Sequence, residues 1–528
     1  MSNNANKIPE GLDIFNTAAK LQLNGKVDEA IFIYKDLIKQ DPQHFKALAN
    51  LGIIYIQQKK WDEGYQYLQH STRISPEQPI VHFNLGLSLK KQKKHIEAIS
   101  AFKEAIRYQP NYIRAYIQIA DLYVEEKNHQ EALPFFQNAL TINPNLPNVH
   151  NKLGNLFLAL QKPDEAIRFF NQAIELRPDF SQAYYNRAVV LAELGRIDEA
   201  IESYNLSLTY KPDLIDAYWN IALLKILRGE YLEGWKLFEW RWKLKRVERH
   251  IRQFNQPLWL GNGTIKDKTI LIYAEQGLGD VIQFSRYVKL LLAMGARVIL
   301  EVPKTLVTIM TSIHPSVGVE AKGSELTHFD LQCPIMSLPL AFKTSVESIP
   351  NTTPYLYVNE TLREMWAKKL GKKNRMRIGI AWSGSPTHVN DKNRSLPLKS
   401  FDSWFQLPVD FHCLQNQVRE YDLEDASNYQ NLFIHTNELK NFMVTAALMK
   451  EMDLIISVDT AVAHLAGSIH QPVMILLPFM PDYRWMLNRE DSPWYPSARL
   501  FRQPAINDWA TPIQNIKFKI EGMIRDGK

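Results

Sequence analysis

Three short segments in the second half of the chain combine residue types that can move a proton and hold an anion. The first is Gly277-Leu278-Gly279-Asp280, a glycine turn that follows the apolar run Thr269–Ala274 and opens a helical pattern. Glycines there let the backbone approach a bound molecule closely, and a carboxylate at the helix start projects toward it as a proton acceptor. Asp280 also reads as a helix-cap residue. The second segment runs from Ala381 to Ser395 and carries Lys392 and Arg394, two cations suited to a pyrophosphate. The third, Ser457 to Gly467, ends a buried strand and begins a helix at Asp459, Thr460 and Ala461, whose unpaired N–H groups suit a phosphate. His464 lies one turn further on. Read alone, Asp459 is equally an N-cap and His464 equally a core imidazole.

The elements that must position these residues are strands alternating with helices. Apolar runs at Thr269–Ala274, Arg297–Val302, Val317–Glu320, Arg377–Trp382, Phe411–Leu414, Leu432–His435, Leu454–Val458 and Val473–Leu477 read as buried parallel strands, with helical segments between most of them. The charged, weakly patterned stretch Glu360–Arg375 divides them. The expectation is two Rossmann-like lobes, 268–360 and 376–528, joined by a connector at 361–375, with a ligand cleft where the strand C-termini meet. The aromatic tail segment Pro481–Pro496 reads as a packed lobe edge in which Arg484 and Trp485 could alternatively line the pocket.

The first half has a different logic. Pro42, Pro76, Pro110, Pro144, Pro178 and Pro212 recur every 34 residues. Small residues recur in the same register at Ala18, Gly52, Gly86, Ala120, Gly154, Ala188 and Ala222, and again at Ala30, Gly64, Ala98, Ala132, Ala166, Ala200 and Gly234. Small residues let paired helices approach, and a proline ends each second helix. One hairpin cannot bury its own apolar stripe, so seven of them, over 11–243, are expected to stack into an α superhelix with a concave face. The array resembles the tetratricopeptide repeat family. Two residues before the first small series lies the polar set Asn16, Asn50, Asn84, Gln118, Lys152, Asn186 and Asn220. Each asparagine offers a donor and an acceptor, so Asn50, Asn84, Asn186 and Asn220 are candidate contacts for an extended peptide; the alternative is a polar habit of the repeat. Trp235, Phe238 and Trp242 share a stripe expected to dock the next domain, through a linker at 244–267.

Several classes are disfavoured. The chain has neither a full GxGxxG fingerprint nor a phosphate loop, which argues against a nicotinamide dehydrogenase. No His or carboxylate cluster has metal-ligand spacing, so no metal and no resident cofactor are expected. The 62 Lys and Arg against 56 Asp and Glu leave only +6, too dispersed for a nucleic-acid partner, and the densest basic patch, Arg241–Arg252, reads as a solvated helix face. Cys333 and Cys413 stand alone, which suits a reducing compartment. Met1–Lys7 lacks the apolar core of a signal peptide, and runs such as Pro472–Met480 fall short of the ~20 residues that span a bilayer. A cytoplasmic protein with no membrane span is expected.

Taken together, residues ~268–505 resemble the ADP-heptose:lipopolysaccharide heptosyltransferase family, metal-independent inverting glycosyltransferases of the two-lobed GT-B class. The resemblance rests on Gly279-Asp280 after the first strand and on Asp459, Thr460 and His464 in the second lobe. It implies Asp280 as general base, the Asp459–His464 segment as holder of the donor diphosphate, and a cation at Arg394 or Lys392. Ala461 stands where that family usually has glycine. The layout is also similar to that of O-linked N-acetylglucosamine transferase, whose repeat arm carries a similar asparagine ladder. The implied fold is thus a repeat superhelix followed by α/β lobes in a GT-B arrangement. The implied partners are a nucleotide-sugar co-substrate and a protein or glycan acceptor. The rival reading is a repeat scaffold whose transferase-like half is inactive.

Overall fold

The computed structural model describes residues 10–248, 251–388 and 390–526. The reading of Met1–Lys7, residues 249–250 of the expected linker and Val389 of the polar loop lie outside them. The chain forms two compact units, one taking residues up to Leu191 with Thr209–Lys211, the other Ala192–Leu208 with everything from Pro212 onward.

The first unit is built of helical hairpins. Helices Glu10–Leu23 and Val27–Gln40 form the first, and the pattern repeats through Pro147–Ala159 and Pro163–Leu176, followed by Ser181–Glu193. The recurrent small residues are contact points: a Cβ on Gly86 would stand 2.5 Å from the Phe102 ring, and one on Gly154 2.4 Å from Phe170. The turn inside each hairpin passes through left-handed backbone, at Gly25 (φ 79°) and then at Lys59, Lys93, Lys127 and Gln161 (φ 60–62°). Satisfying the last helical carbonyls there outweighs the modest strain on a non-glycine residue. Ala30, Tyr34, Leu51 and Ile54 make one cluster of the core and Phe83, Phe102 and Ile119 another.

Helix Ile197–Tyr210 belongs to the second unit up to Leu208, the hairpin Ile215–Leu227 and Tyr231–Phe238 follows in that unit, and among the described residues the repeats comprise fourteen helices. Two all-parallel sheets follow. The first contains β1 (Thr269–Tyr273), β2 (Arg297–Val302), β3 (Gly318–Ala321) and β4 (Leu331–Pro334) in the order β3-β2-β1-β4. The second contains β5 (Met376–Ala381), β6 (Val409–Cys413), β7 (Leu432–Ile434), β8 (Leu454–Val458), β9 (Val473–Leu477) and β10 (Ala498–Arg502) in the order β10-β9-β8-β5-β6-β7. The continuous Ile, Leu and Val runs of β1 and β8 are buried because helices cover both faces of such sheets. The chain order reverses at β1 in the first sheet and between β5 and β8 in the second. Crevices at such reversals are where α/β sheets place ligands.

Some expectations need correction. Strands β4 and β10 escape the apolar-run reading because each is an edge strand, one short and ending in Pro334, the other alternating Arg with apolar residues. Glu360–Leu370 is a helix rather than a weakly structured connector. The Asn359 side chain accepts from Leu362 N–H at 3.0 Å, and Trp366 is buried edge-on to His435. The expected linker is partly packed, since Trp259 N–H donates to Gln332 O (2.9 Å) and Gln332 N–H to Pro257 O (3.1 Å), beside β4. Arg241 is no solvated charge: it is fully buried, donating to Glu275 through Nε (2.8 Å) and Nη2 (3.0 Å), to Glu239 (2.6 Å) and to Ser337 (2.7 Å). Two acidic partners make this burial tolerable, and one of them lies 34 residues away in sequence. Trp235 and Phe238 do pack on the lobes, against Phe284 and Tyr483, whereas Trp242 is only half-buried.

Candidate active site

The three chemistry-bearing segments occupy the loops that follow β1, β5 and β8, the strands at the two reversals. After β1, Glu275 is held by Arg241 and accepts from Met336 N–H at 3.1 Å, which fixes the start of the glycine turn. Gly277 is the N-cap of the short helix Leu278–Phe284, and its N–H donates to Asp280 Oδ2 at 2.9 Å. The cap reading of Asp280 is therefore half right: one carboxylate oxygen serves the turn. The other, Oδ1, accepts from Arg484 Nη2, which arrives from the opposite sheet. Burial raises the Asp280 pKa, and Arg484 acts against that rise.

After β5, the backbone N–H groups of Trp382 and Ser383 both donate to Gln415 Oε1 (2.7 and 3.2 Å), and the Trp382 indole donates to Asp422 (2.9 Å). These bonds anchor the root of the polar loop. Of the two candidate cations, Arg394 reaches the site, donating to the backbone oxygen of Asp459 at 2.8 Å. Gly384 makes room for it, because a Cβ there would lie 2.7 Å from Arg394 Nη2. Lys392 is exposed and acts electrostatically on Glu193 instead.

After β8, Thr460 rather than Asp459 is the N-cap of helix Ala461–Ser468. Its hydroxyl pairs with Ser457 Oγ (3.1 Å) and makes no cap bond, so within the first turn only the Thr460 backbone oxygen is engaged, accepting from Ala463 N–H at 3.0 Å. Asp459 is buried, and its carboxyl is pushed up to about 6, first by burial and then by Asp482. His464 is buried too. Its Nδ1 pairs with Tyr495 OH at 2.9 Å, and its ring stacks on Trp485 at 5.3 Å. Burial, together with Arg484, Arg286 and Arg394, drives its pKa far down and keeps it neutral. The core-imidazole reading thus describes its surroundings, but those surroundings are the meeting point of the two sheets. A Cβ on Gly279 would stand 2.7 Å from His464 Cδ2.

Sequence reasoning missed Arg286, Asp482 and Tyr495 and left Arg484 undecided. Arg286 is buried without a carboxylate partner; it donates to Trp494 O (2.6 Å) and to Tyr355 OH (3.2 Å) and lies over the Tyr495 ring at 4.6 Å. Its helical context gives no sign of this. Arg484 and Asp482 carry a usable signal, because Pro481-Asp-Tyr-Arg lies in the segment that leaves the C-terminal end of β9 after Leu477. Among the described residues no three His, Cys, Asp or Glu side chains are grouped to hold a metal ion.

In the first unit, the ladder asparagines are engaged internally. Asn50 Nδ2 donates to Tyr34 OH (2.9 Å), Asn84 Nδ2 to Ile80 O (2.7 Å), and Asn186 Nδ2 to Asn151 Oδ1 (3.0 Å). Asn84 is buried, and Lys152 pairs with Asp121 at 2.7 Å. In the second unit Asn220 Nδ2 donates to Tyr204 OH at 3.0 Å.

Family models for the tetratricopeptide repeat match residues 21–83, 79–112, 111–179 and 151–214. These hairpins are tetratricopeptide repeats. Repeats of this kind form protein-interaction scaffolds. The chain is 24% identical over 312 residues to Protein FlbA of Caulobacter vibrioides, a match covering 54% of this chain and 52% of that one. It therefore spans about half the length of the curated relative it matches. Similar solved structures include YrrB, a repeat protein with an unusual peptide-binding site, at 18% identity, 35% of this chain, 95% of that one and a TM-score of 0.32. The C-terminal part of a repeat protein from Cytophaga hutchinsonii matches at 19% identity, 45% of this chain, 100% of that one and a TM-score of 0.40. No helix among the described residues is long and apolar enough to cross a membrane.

Proposed function

We propose that residues 268–528 form a metal-independent, inverting glycosyltransferase of the GT-B class, with lobes at 268–360 and 376–528, and that the repeats hold its protein acceptor or an adaptor presenting one. The observation that carries this reading is the convergence, at the reversals of two parallel sheets, of a buried carboxylate, Asp280, with an N-terminal helix turn and the guanidinium groups of Arg394 and Arg484. A carboxylate beside cations and unpaired N–H groups suits proton removal coupled to departure of an anion.

In this reading Asp280 takes the proton of an acceptor hydroxyl as its oxygen attacks the anomeric carbon. The bond to the nucleoside diphosphate breaks on the opposite face, and the diphosphate leaves with the electron pair. Arg394 and the N–H groups at Thr460 and Ala461 face the charge that builds on the leaving group. Gly277 and Gly279 keep the backbone close to the reacting atoms, and neutral His464 offers a donor without competing for the proton. Asp459, whose pKa is pushed up only to about 6 and which is therefore mostly ionised at neutral pH, faces donor hydroxyls rather than phosphate. A second reading, an inactive lobe used only for docking, is favoured by one observation: the Asp280 carboxylate is tied to Arg484 rather than free.

A panel of nucleotide sugars screened for heat stabilisation of the full chain separates the two. A donor that raises the unfolding temperature at micromolar concentration supports the transferase. No stabilisation by any of them favours the scaffold.

A further inference from the structure

Arg484 sits in a one-turn helix, Tyr483–Trp485, in the segment after β9, and its base is fixed because the Asp482 side chain accepts from its N–H at 3.2 Å. Its guanidinium is shared between sheets. Nη2 serves Asp280 and, at 3.2 Å, Tyr483 OH; Nη1 lies 3.3 Å from Asp482; the buried Nε has no hydrogen-bond partner. A planar fork that leaves one buried donor unused is open to a better partner, and a phosphate oxygen pair is the partner such forks fit. Arg484, for its part, occupies one lone pair of Asp280 Oδ1, and its charge beside the carboxylate lowers the basicity Asp280 needs to take a proton from a substrate hydroxyl. The present contact therefore works against the role of base proposed for Asp280.

We propose that the Asp280–Arg484 pair is an interlobe latch, opened when the diphosphate of a nucleotide sugar takes Arg484 from Asp280 and so frees the carboxylate to act as base. The inference rests on the transferase reading and assigns its control. The charged and titratable groups around the pair come from several segments. The turn after β1 contributes Asp280, and the segment following its helix contributes Arg286. The β5 loop contributes His388 and Arg394, and the β8 loop Asp459 and neutral His464. The segments after β9 contribute Asp482, Tyr483 and Tyr495. Three guanidinium groups, Arg286, Arg394 and Arg484, stand against three carboxylates, Asp280, Asp459 and Asp482, a balance that is the same whether or not Arg484 is paired with Asp280. An incoming diphosphate supplies Arg484 with a replacement anion, and the released carboxylate keeps its bond from Gly277 N–H. No bond is made or broken covalently in this step; it is an exchange of ion-pair partners.

The latch makes an unusual prediction, that deleting the proposed base strengthens binding. Calorimetric titration of the full chain with ADP, GDP, CDP and UDP identifies the nucleoside diphosphate bound best by the wild type. Asp280→Asn is expected to bind it about threefold or more tightly, because the competing carboxylate is gone. Arg484→Gln is expected to bind it about tenfold or more weakly. In the double variant the gain from Asp280→Asn disappears, since it acts through Arg484. Circular dichroism checks folding, and Arg484→Lys, which keeps the charge without the fork, replaces Arg484→Gln if that chain does not fold. Equal binding by wild type and Arg484→Gln overturns the latch, as does a gain from Asp280→Asn that survives without Arg484. Binding of none of the four nucleotides by the wild type overturns the transferase reading and the latch with it.

Discussion

A methyl group on Gly279 would stand 2.7 Å from Cδ2 of His464, so the first turn of one sheet's helix is built directly against an imidazole supplied by the other. The ring cannot retreat, being stacked on Trp485 and bonded to Tyr495. Gly279→Ala is therefore expected to wedge the sheets apart at their loops and lower turnover by ~10²-fold, as sub-ångström misplacement of reacting groups does. Gly277→Ala, whose Cβ would lie 3.0 Å from a carboxylate oxygen only, is expected to be much milder. Equal turnover rates for the two variants would show that the close approach does not matter.

Asp459 gives a pH-dependent stability effect of defined sign. Its pKa is raised from 3.8 to about 6 in the folded chain, chiefly by burial. The folded state then holds this proton more tightly than the unfolded one, so stability falls as pH climbs between those values. Asp459→Asn mimics the neutral form. Relative to wild type it is expected to gain stability on going from pH 4.5 to pH 7.5, by at most ~3 kcal/mol. Thermal unfolding at the two pH values reads this directly, and an unchanged gap would refute it.

Arg241 supports the Glu275–Asp280 turn from beneath. Arg241→Met leaves Glu239 and Glu275 without their buried cation, which is expected to cost ~3–5 kcal/mol in urea unfolding. Adding Glu275→Gln removes the stranded charge and should restore part of the loss. A cost below ~1 kcal/mol would place Glu275 in water rather than in the core.

Changing Asn50, Asn84, Asn186 and Asn220 to Ala tests the repeats. Two of these hold tyrosine hydroxyls, so each lost bond is expected to cost ~1 kcal/mol of stability. None lies in the α/β lobes, so hydrolysis of the donor should be unaffected while transfer to a protein acceptor weakens. Full transfer by the folded quadruple variant would make the ladder structural.

How much of this was readable follows the range of the interactions. The 34-residue spacing exposes every hairpin because each repeat packs on its neighbours in sequence. Asp280, Arg394, Asp459 and His464 are legible because a strand end followed by a polar turn marks them locally. Charge alone could not choose between Arg394 and Lys392; the structure places Arg394 against Asp459 and Gly384 and leaves Lys392 exposed. The Asp280–Arg484 pair joins positions 204 residues apart, and nothing near either residue announces the other. Arg241 misled for the same reason, since its distant partner Glu275 turns an apparent surface charge into a core one.

The central claim is sugar transfer with Asp280 as base and no metal in the chemistry. The most direct measurement is release of nucleoside diphosphate from a panel of nucleotide sugars by the full chain in EDTA, wild type beside Asp280→Asn. The expected result is turnover of one donor by the wild type, undiminished by the chelator, and a loss of ~10²-fold or more in Asp280→Asn although that variant still binds the nucleotide. Turnover abolished by EDTA and restored by a divalent cation, or near-normal turnover by Asp280→Asn, would contradict it.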